Sequence, residues 1–354
     1  MALLSFSGVK INGIAAAVPS RVKYTKDYDL ISEKEQENLV RMVGVEQRRV
    51  ADEGTATSDL CQAASEKLIQ GLGWDRNEID LLVFISQSRD YIIPATAGIL
   101  QDKLGLSKSC LAFDISLGCS GYVYGLSVMG SMMANGQLRK GLLLVGDVST
   151  KNTSYKDKST YPLFGDAGTA TALSYGSEAG TMAFNLQTDG AGYEAIIIPD
   201  GGIRNFASPD TSFQYEKIDE GIERNKLHIA LDGIEVFNFS LREVAPNVKA
   251  LLADQGREIG DIDFYVMHQA NRLMNETIRK QLKIAPEKYP YSIAEFGNTS
   301  SASIPLTMAY RIREELQKLH LHLLLSGFGV GLSWGSAIIE TDKIYCPEII
   351  EYKS

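Results

Sequence analysis

The chain has 354 residues, 44% hydrophobic and 22% charged, enough for a substantial core in one large domain or two ordinary ones. Its formal net charge of −9 disfavours general nucleic-acid binding, which needs a basic surface. Four scattered cysteines (Cys61, Cys110, Cys119, Cys346) form no CxxC pair, which argues against a zinc site or a disulfide framework; with no apolar run of membrane-spanning length, this points to a reducing, cytoplasmic setting away from membranes.

Near the amino terminus, SFSGVKING places polar residues where a signal peptide needs a continuous apolar stretch, so it reads as a first β-strand. A helix is predicted over 58–70, ended by Gly71, with Cys61 on its apolar face, and LLVFIS (81–86) follows as a strand. The stretch DISLGCSGYVYGLSVMG (114–130) runs from a strand-like segment through Cys119 into a helix over 119–135 that is apolar nearly all round, hence buried. Gly118, Gly121 and Gly125 would let backbones approach closely. A thiol at a helix N-terminus meets unpaired N–H groups and the positive end of the dipole, which favour the thiolate. A cysteine in such surroundings is also a small core residue, so both readings stay open.

The strand GLLLVGD (141–147) follows. Residues 189–226, rich in Gly, Asp and turn formers, are long for a connection and read as a lid or wall over a site. A helix over 235–254 precedes FYVMH (264–268), whose His268 ends a strand where α/β proteins keep their sites. The next helix, 271–282, carries Arg272, Arg279 and Lys280. EFGNTSSASIPL then suggests a tight turn into a helix over 302–319, with the Asn298 amide either donating to an oxyanion or capping that helix. HLLLSGF (322–328) and SAIIE (336–340) are strands joined by GFGVGLSWGS, which lacks the marks of a phosphate loop but can aim N–H groups at a carbonyl oxygen. His228, His320 and His322 have no setting comparable to that of His268.

The alternation of strands and helices is an α/β pattern. EIDLLVFISQS and DIDFYVMHQAN, and likewise GLLLVGDVS and HLLLSGFGVG, are offset by about 180 residues, which predicts two copies of one unit, 1–174 and 175–354.

Cys119 in DISLGCSG, His268 in HQAN, Asn298 in GNTSSAS, FGDAGTATAL (164–173) and GFGVGLSWGS together resemble β-ketoacyl-acyl-carrier-protein synthase III of the thiolase superfamily, over essentially the whole chain. The resemblance implies a thiolase-like duplicated α/β fold, five-layered αβαβα, with two mixed sheets around buried helices. It implies that Cys119 takes an acyl group from a thioester and that His268 and Asn298 stabilise the enolate of a decarboxylating malonyl-carrier partner. The N–H groups of Cys119 and Val330 would form a second oxyanion hole. No permanently bound cofactor is implied, only acyl-CoA or an acyl-carrier thioester as substrate. A homodimer is implied, with SRDYIIPATAG (88–98) bringing Ile93 to the partner's acyl pocket. For the acidic carrier protein, Arg272, Arg279 and Lys280 supply local positive charge. Asn38 stands where family members often have a Trp that stacks on coenzyme A, Met42 where they have an Arg, and Asn238 where a docking Lys is common, so the acyl donor is left open. Two alternatives stand beside condensation: acyl transfer to an alcohol or amine, and a non-catalytic scaffold.

Overall fold

The amino-terminal run divides at Gly8, whose φ of +85° turns the chain sharply between β1 (Ala2–Ser7) and β2 (Val9–Pro19), so the single strand read from sequence is two. The computed structural model describes residues 2–353. It continues with β3 (Val22–Tyr24), α1 (Glu33–Val43), β4 (Gln47–Arg49), α2 (Thr57–Leu72), β5 (Leu81–Ile85), α3 (Thr96–Lys103), β6 (Leu111–Ile115), α4 (Gly121–Met133), β7 (Lys140–Asp147), β8 (Ala167–Tyr175) and β9 (Thr181–Thr188). Then come β10 (Ile196–Ile197), β11 (Glu216–Asp219), β12 (Ile222–Arg224), β13 (Ala230–Leu231), α5 (Gly233–Asp254), β14 (Phe264–Met267), α6 (Arg272–Gln281), α7 (Ile293–Phe296), α8 (Ser303–Arg311), α9 (Arg313–Lys318), β15 (His320–Gly329), β16 (Ser333–Asp342) and β17 (Ile350–Tyr352).

One sheet runs β17-β2-β8-β7-β5-β6 and another β1-β9-β16-β15-β14. The order β2-β8-β7-β5 recurs as β9-β16-β15-β14, with the same pairing senses: antiparallel, antiparallel, parallel. The outer strands cross over. β1 pairs with β9 in the second sheet, and β17 pairs with β2 in the first, so each end of the chain is tied into the sheet of the other end.

The strands look continuously apolar in sequence because both faces of each sheet are covered. Along β5, Leu81, Val83 and Ile85 face the core between the sheets, while Leu82 and Phe84 face an outer core under α2 and α3. On β15, Leu321, Leu323 and Leu325 face the central core, and Leu324 and Phe328 face the one under α5 and α6. α4 and α8 lie between the sheets and touch strands of both, which completes five layers. α4 comes close to β5 because its positions are small: a Cβ on Gly125 would lie 2.4 Å from Ile85 Cδ1, and one on Gly121 2.8 Å from Ile85 Cγ2.

Two helix boundaries differ from those read in the sequence. α2 passes through Gly71 and ends at the left-handed Gly73, φ +62°. Gly71 is small for packing, since a Cβ there would meet the Tyr345 ring at 2.0 Å. The helix predicted over 302–319 breaks at Ile312, whose backbone leaves the helical region at φ −126° and ψ 26°, giving α8 and α9. Residues 189–226 carry β10, which pairs with β13, and the β11–β12 hairpin; of this stretch, Ile196 lines the cleft described below. Among the described residues no helix is long and apolar enough to cross a membrane.

Candidate active site

The C-terminal ends of β14 and β15 and the turns that open α4 and α8 converge on one cleft. It spans about 700 Å³ counted to its open mouth and is lined by Cys119, His268 and Asn298 with Phe328, Val330 and Gln87. Residues far apart in the chain meet here because the two halves present matching turns to the same space.

Cys119 is buried at 8% exposure, two residues before α4 begins. The β15–β16 hairpin folds over it: a Cβ on Gly329 would stand 2.8 Å from its Sγ, and one on Gly327 2.7 Å from its carbonyl oxygen. Ser120 Oγ and Ser333 Oγ share a 2.7 Å hydrogen bond, and Ser333 Oγ donates to the Val330 carbonyl at 2.9 Å, which fixes the hairpin against the thiol. Burial pushes the Cys119 thiol up to about 11; hydrogen bonds from the Val330 N–H, the Ser300 side chain and its own N–H pull the other way, and the Asp147 carboxylate adds to the rise. The sequence argument that the helix start favours a resting thiolate is therefore corrected. Desolvation outweighs the donors, and the group rests as a thiol.

His268 follows β14, 1% exposed. Its Nδ1 shares a 2.7 Å hydrogen bond with Ser303 Oγ, and its ring meets Phe328 edge to face at 5.5 Å. Burial holds its pKa down at about 3, against a weaker hydrogen bond to the Ser300 backbone, so the imidazole is neutral at physiological pH. Asn275 Nδ2 donates to the His268 carbonyl at 2.8 Å. Asn298 sits after Gly297, φ +68°. Its Oδ1 accepts from the Ser300 N–H at 2.9 Å, and its Nδ2 reaches the Ala270 carbonyl at 3.4 Å, beside His268. Both readings left open have a counterpart here: the Asn298 oxygen holds the first N–H of the 3₁₀ turn that leads into α8, and the residue also lines the cleft.

The match to a known family covers both halves of this site. Residues 113–190 match the 3-oxoacyl-[acyl-carrier-protein] synthase III model, and residues 252–341 match its C-terminal counterpart. A β-ketoacyl-[acyl-carrier-protein] synthase III of Ehrlichia canis is 32% identical over 331 residues, 93% of this chain and 98% of that one. A putative 3-oxoacyl-[acyl-carrier-protein] synthase 3 of Campylobacter jejuni is 32% identical over 98% of each chain. The crystal structure of a 3-oxoacyl-(acyl-carrier protein) synthase from Burkholderia xenovorans LB400 superposes with a TM-score of 0.93 at 37% identity, covering 99% of both chains. The chain belongs to the β-ketoacyl-[acyl-carrier-protein] synthase III family. It is a condensing enzyme of the thiolase fold.

Within this synthase III fold, not every residue singled out in the sequence meets the cleft. Ile93 is 83% exposed and lies outside it, next to exposed Ile92 and Tyr91. On α6, Arg272 and Lys280 are exposed. Arg279 is not a free cation: it pairs with Glu276 at 2.9 Å, donates to the Ile284 carbonyl at 2.6 Å and is largely covered, which corrects its place in a docking face. Asn38 lies on α1, where it accepts from Arg41 Nη2 at 2.7 Å. His320 and His322 lie at the far end of the β15–β16 hairpin against Glu340, which Arg257 also approaches at 3.6 Å.

Sequence reasoning missed several supporting groups. Asp147, 1% exposed, accepts from Ser86 Oγ at 2.9 Å and Gln87 N–H at 2.8 Å with one oxygen, and from Ser301 Oγ at 2.7 Å with the other, tying the β5 end to the turn that opens α8. Ser303 orients His268 through their shared hydrogen bond, and Ser300 takes φ +51° in the turn that leads into α8. NTSSAS was a visible signal, but nothing in it separates one serine from the next.

Proposed function

We propose that this chain catalyses decarboxylative Claisen condensation of an acyl thioester with malonyl-acyl carrier protein. The observation that carries this is the meeting of Cys119, a neutral His268 and Asn298 on one cleft. Cys119 Sγ attacks the donor thioester; the acyl group moves to sulfur, and the donor thiol leaves with the proton. The malonyl thioester then loses CO₂, and its carbonyl oxygen gathers the charge between His268 and Asn298. A neutral imidazole suits this, because it can donate a hydrogen bond to the enolate without leaving a buried cation behind. The carbanion attacks the acyl carbon. The Val330 and Cys119 N–H groups, which face the sulfur in the resting enzyme, stand where charge develops on the acyl oxygen. Collapse releases the Cys119 thiolate, which takes a proton, and the β-ketoacyl carrier departs. No step draws on a resident cofactor.

The same reading includes a cytoplasmic homodimer in which each chain is made of two halves, 1–174 and 175–354. β6 is an edge strand with Leu111 45% exposed, open to a partner's sheet, and the exposed Tyr91-Ile92-Ile93 segment suits a partner's acyl pocket. For the carrier protein, the docking face is reduced to Arg272 and Lys280 with Lys283 beyond them, all exposed. The test is intact-protein mass spectrometry with acyl-CoA and acyl-carrier donors, followed by malonyl-dependent CO₂ release. An acyl adduct that never consumes malonyl-carrier, but passes to an alcohol or amine, would replace condensation with simple acyl transfer.

A further inference from the structure

The far end of the β15–β16 hairpin holds a cluster of side chains that the proposed mechanism does not use. A ring nitrogen of His320, a ring nitrogen of His322 and a carboxylate oxygen of Glu340 all lie within 4.8 Å of one another. Strand register explains their meeting. His322 pairs directly with Glu340 across the hairpin, and His320 stands two residues away along β15, so all three share one face of the sheet. It is the face of Leu324 and Ile338, which pack under α5. The cluster sits on two interior strands of the second sheet, whereas β6 is an edge of the first. None of its three residues lines the catalytic cleft.

The contacts within the cluster leave its donor atoms unsatisfied. His322 Nδ1 is buried and stands 3.3 Å from Glu340 Oε1, yet it makes no hydrogen bond. His320 Nε2 is 3.9 Å from Glu340 Oε2, and Arg257 Nη2 is 3.6 Å from Glu340 Oε1, both too long for a hydrogen bond. The carboxylate is thus surrounded by three nitrogen groups and held closely by none of them. Donor atoms around a tetrahedral ion, with bonds of about 2.0–2.1 Å, stand about 3.3–3.5 Å apart. Drawing these atoms onto one ion therefore takes a closure of at most about 1.5 Å. The His320 side chain, 52% exposed, is free to turn that far. On its other side Glu340 lies against Gly180, where a Cβ would stand 2.7 Å from Oε2. His320 and Glu340 also line a surface cavity of about 1140 Å³ counted to its mouth, which leaves room for water on an ion's remaining positions. Glu178 and Asp342 face Lys10 in the same cavity, so its charged lining is negative on balance.

We infer that His320, His322 and Glu340 form a binding site for a late first-row divalent cation of the Zn²⁺, Ni²⁺ or Cu²⁺ class, separate from the catalytic cleft. Two imidazoles and one carboxylate suit these ions, whereas Mg²⁺ and Ca²⁺ prefer sites made of oxygen alone. Arg257 competes with the ion for Glu340 and moderates its affinity. The cysteines play no part, and the condensation proposed above does not depend on this site.

The experiment is isothermal titration of the untagged full chain with Zn²⁺, Ni²⁺ and Mg²⁺ at mildly alkaline pH, where imidazoles are deprotonated and free to ligate. One Zn²⁺ or Ni²⁺ per chain is expected to bind with a Kd on the order of micromolar or tighter, with no Mg²⁺ binding in that range. His320→Ala, His322→Ala and Glu340→Gln should each weaken binding by about tenfold or more, since even loss of an outer-shell partner costs that much. Because His320 is half exposed, His320→Ala should melt like the wild type without metal, which separates lost ligation from lost folding. The thiol of Cys119 is the rival ligand, so Cys119→Ser should bind the ion as tightly as the wild type. Zn²⁺ and Ni²⁺ binding only at millimolar concentration, binding unchanged in the His320→Ala/His322→Ala double variant, or binding lost in Cys119→Ser would each overturn the inference and leave the condensation reading untouched.

Discussion

The turns that open α4 and α8 bring the two sides of the site together from matching places in a repeated topology, yet they are built from different materials. The α4 turn is apolar and tight. Gly118, Gly121 and Gly125 let it press on Gln87 and Ile85, and its one reactive group is a buried thiol. The α8 turn is made of hydroxyls and amides, with Ser301 on Asp147, Ser303 on His268 and Asn298 beside Ala270. A covalent station needs a nucleophile held among small neighbours with room for an acyl group. An electrostatic station needs donors whose directions are fixed by further hydrogen bonds. On the proposed mechanism, the duplicated scaffold supplies equivalent positions and the local composition of each turn divides the labour.

The harshest way to break this division is Cys119→Ser. A neutral hydroxyl gains little from the donors that face the sulfur, so the stoichiometric acyl adduct should disappear in intact-mass measurements while circular dichroism stays unchanged. Next come His268→Ala and Asn298→Ala. Each should spare acylation and lower malonyl-carrier decarboxylation by on the order of 10²-fold, measured as CO₂ release. Loss of acylation with decarboxylation intact would invert the assignment of the two turns.

A smaller effect is expected outside the cleft. Arg272→Glu with Lys280→Glu should raise KM for a carrier-bound substrate by about tenfold, about 1.4 kcal/mol, and barely change turnover of a small thioester. The difference should shrink in high salt. The tightness of the α4 turn is tested by Gly125→Ala, whose new methyl meets Ile85 at 2.4 Å; overpacking of this kind costs about 1–3 kcal/mol and should lower Tm by a few degrees in a thermal melt. The smallest effect is a null one. With its pKa held at about 3, His268 carries no proton to lose between pH 5 and 8, so the CO₂ release step of preformed acyl-enzyme should show no inflection from it in that range. An inflection near the ordinary imidazole value, abolished in His268→Ala, would show that the ring is hydrated and chargeable.

Much of this site could be read in the sequence, and the reasons are local. Cys119, His268 and Asn298 each sit at a change of periodicity or in a run of small residues, and such changes mark strand-to-helix turns. The repeat was visible because strands covered on both faces keep their apolar character in both copies. What escaped depended on contacts made across the chain. The thiol's raised pKa comes from burial under the β15–β16 hairpin, which the local helix-start argument could not weigh. Arg279 looked like its neighbour Arg272 until Glu276 and the Ile284 carbonyl were seen to hold it. Gly71 resembled a helix stop because the Tyr345 ring that requires its smallness comes from the other end of the chain.

The central claim is that one turn holds the acyl group and the other drives decarboxylation. Its most direct test is a single-turnover chase: acylate the enzyme, confirm the adduct on Cys119 by peptide mass, add malonyl-acyl carrier protein, and follow CO₂ and adduct mass in the same sample for wild type and His268→Ala. The account predicts that wild type loses the adduct in step with one equivalent of CO₂, while His268→Ala keeps its adduct and releases CO₂ about 10²-fold more slowly. Equal CO₂ release from both enzymes, or an adduct on any residue other than Cys119, would contradict it.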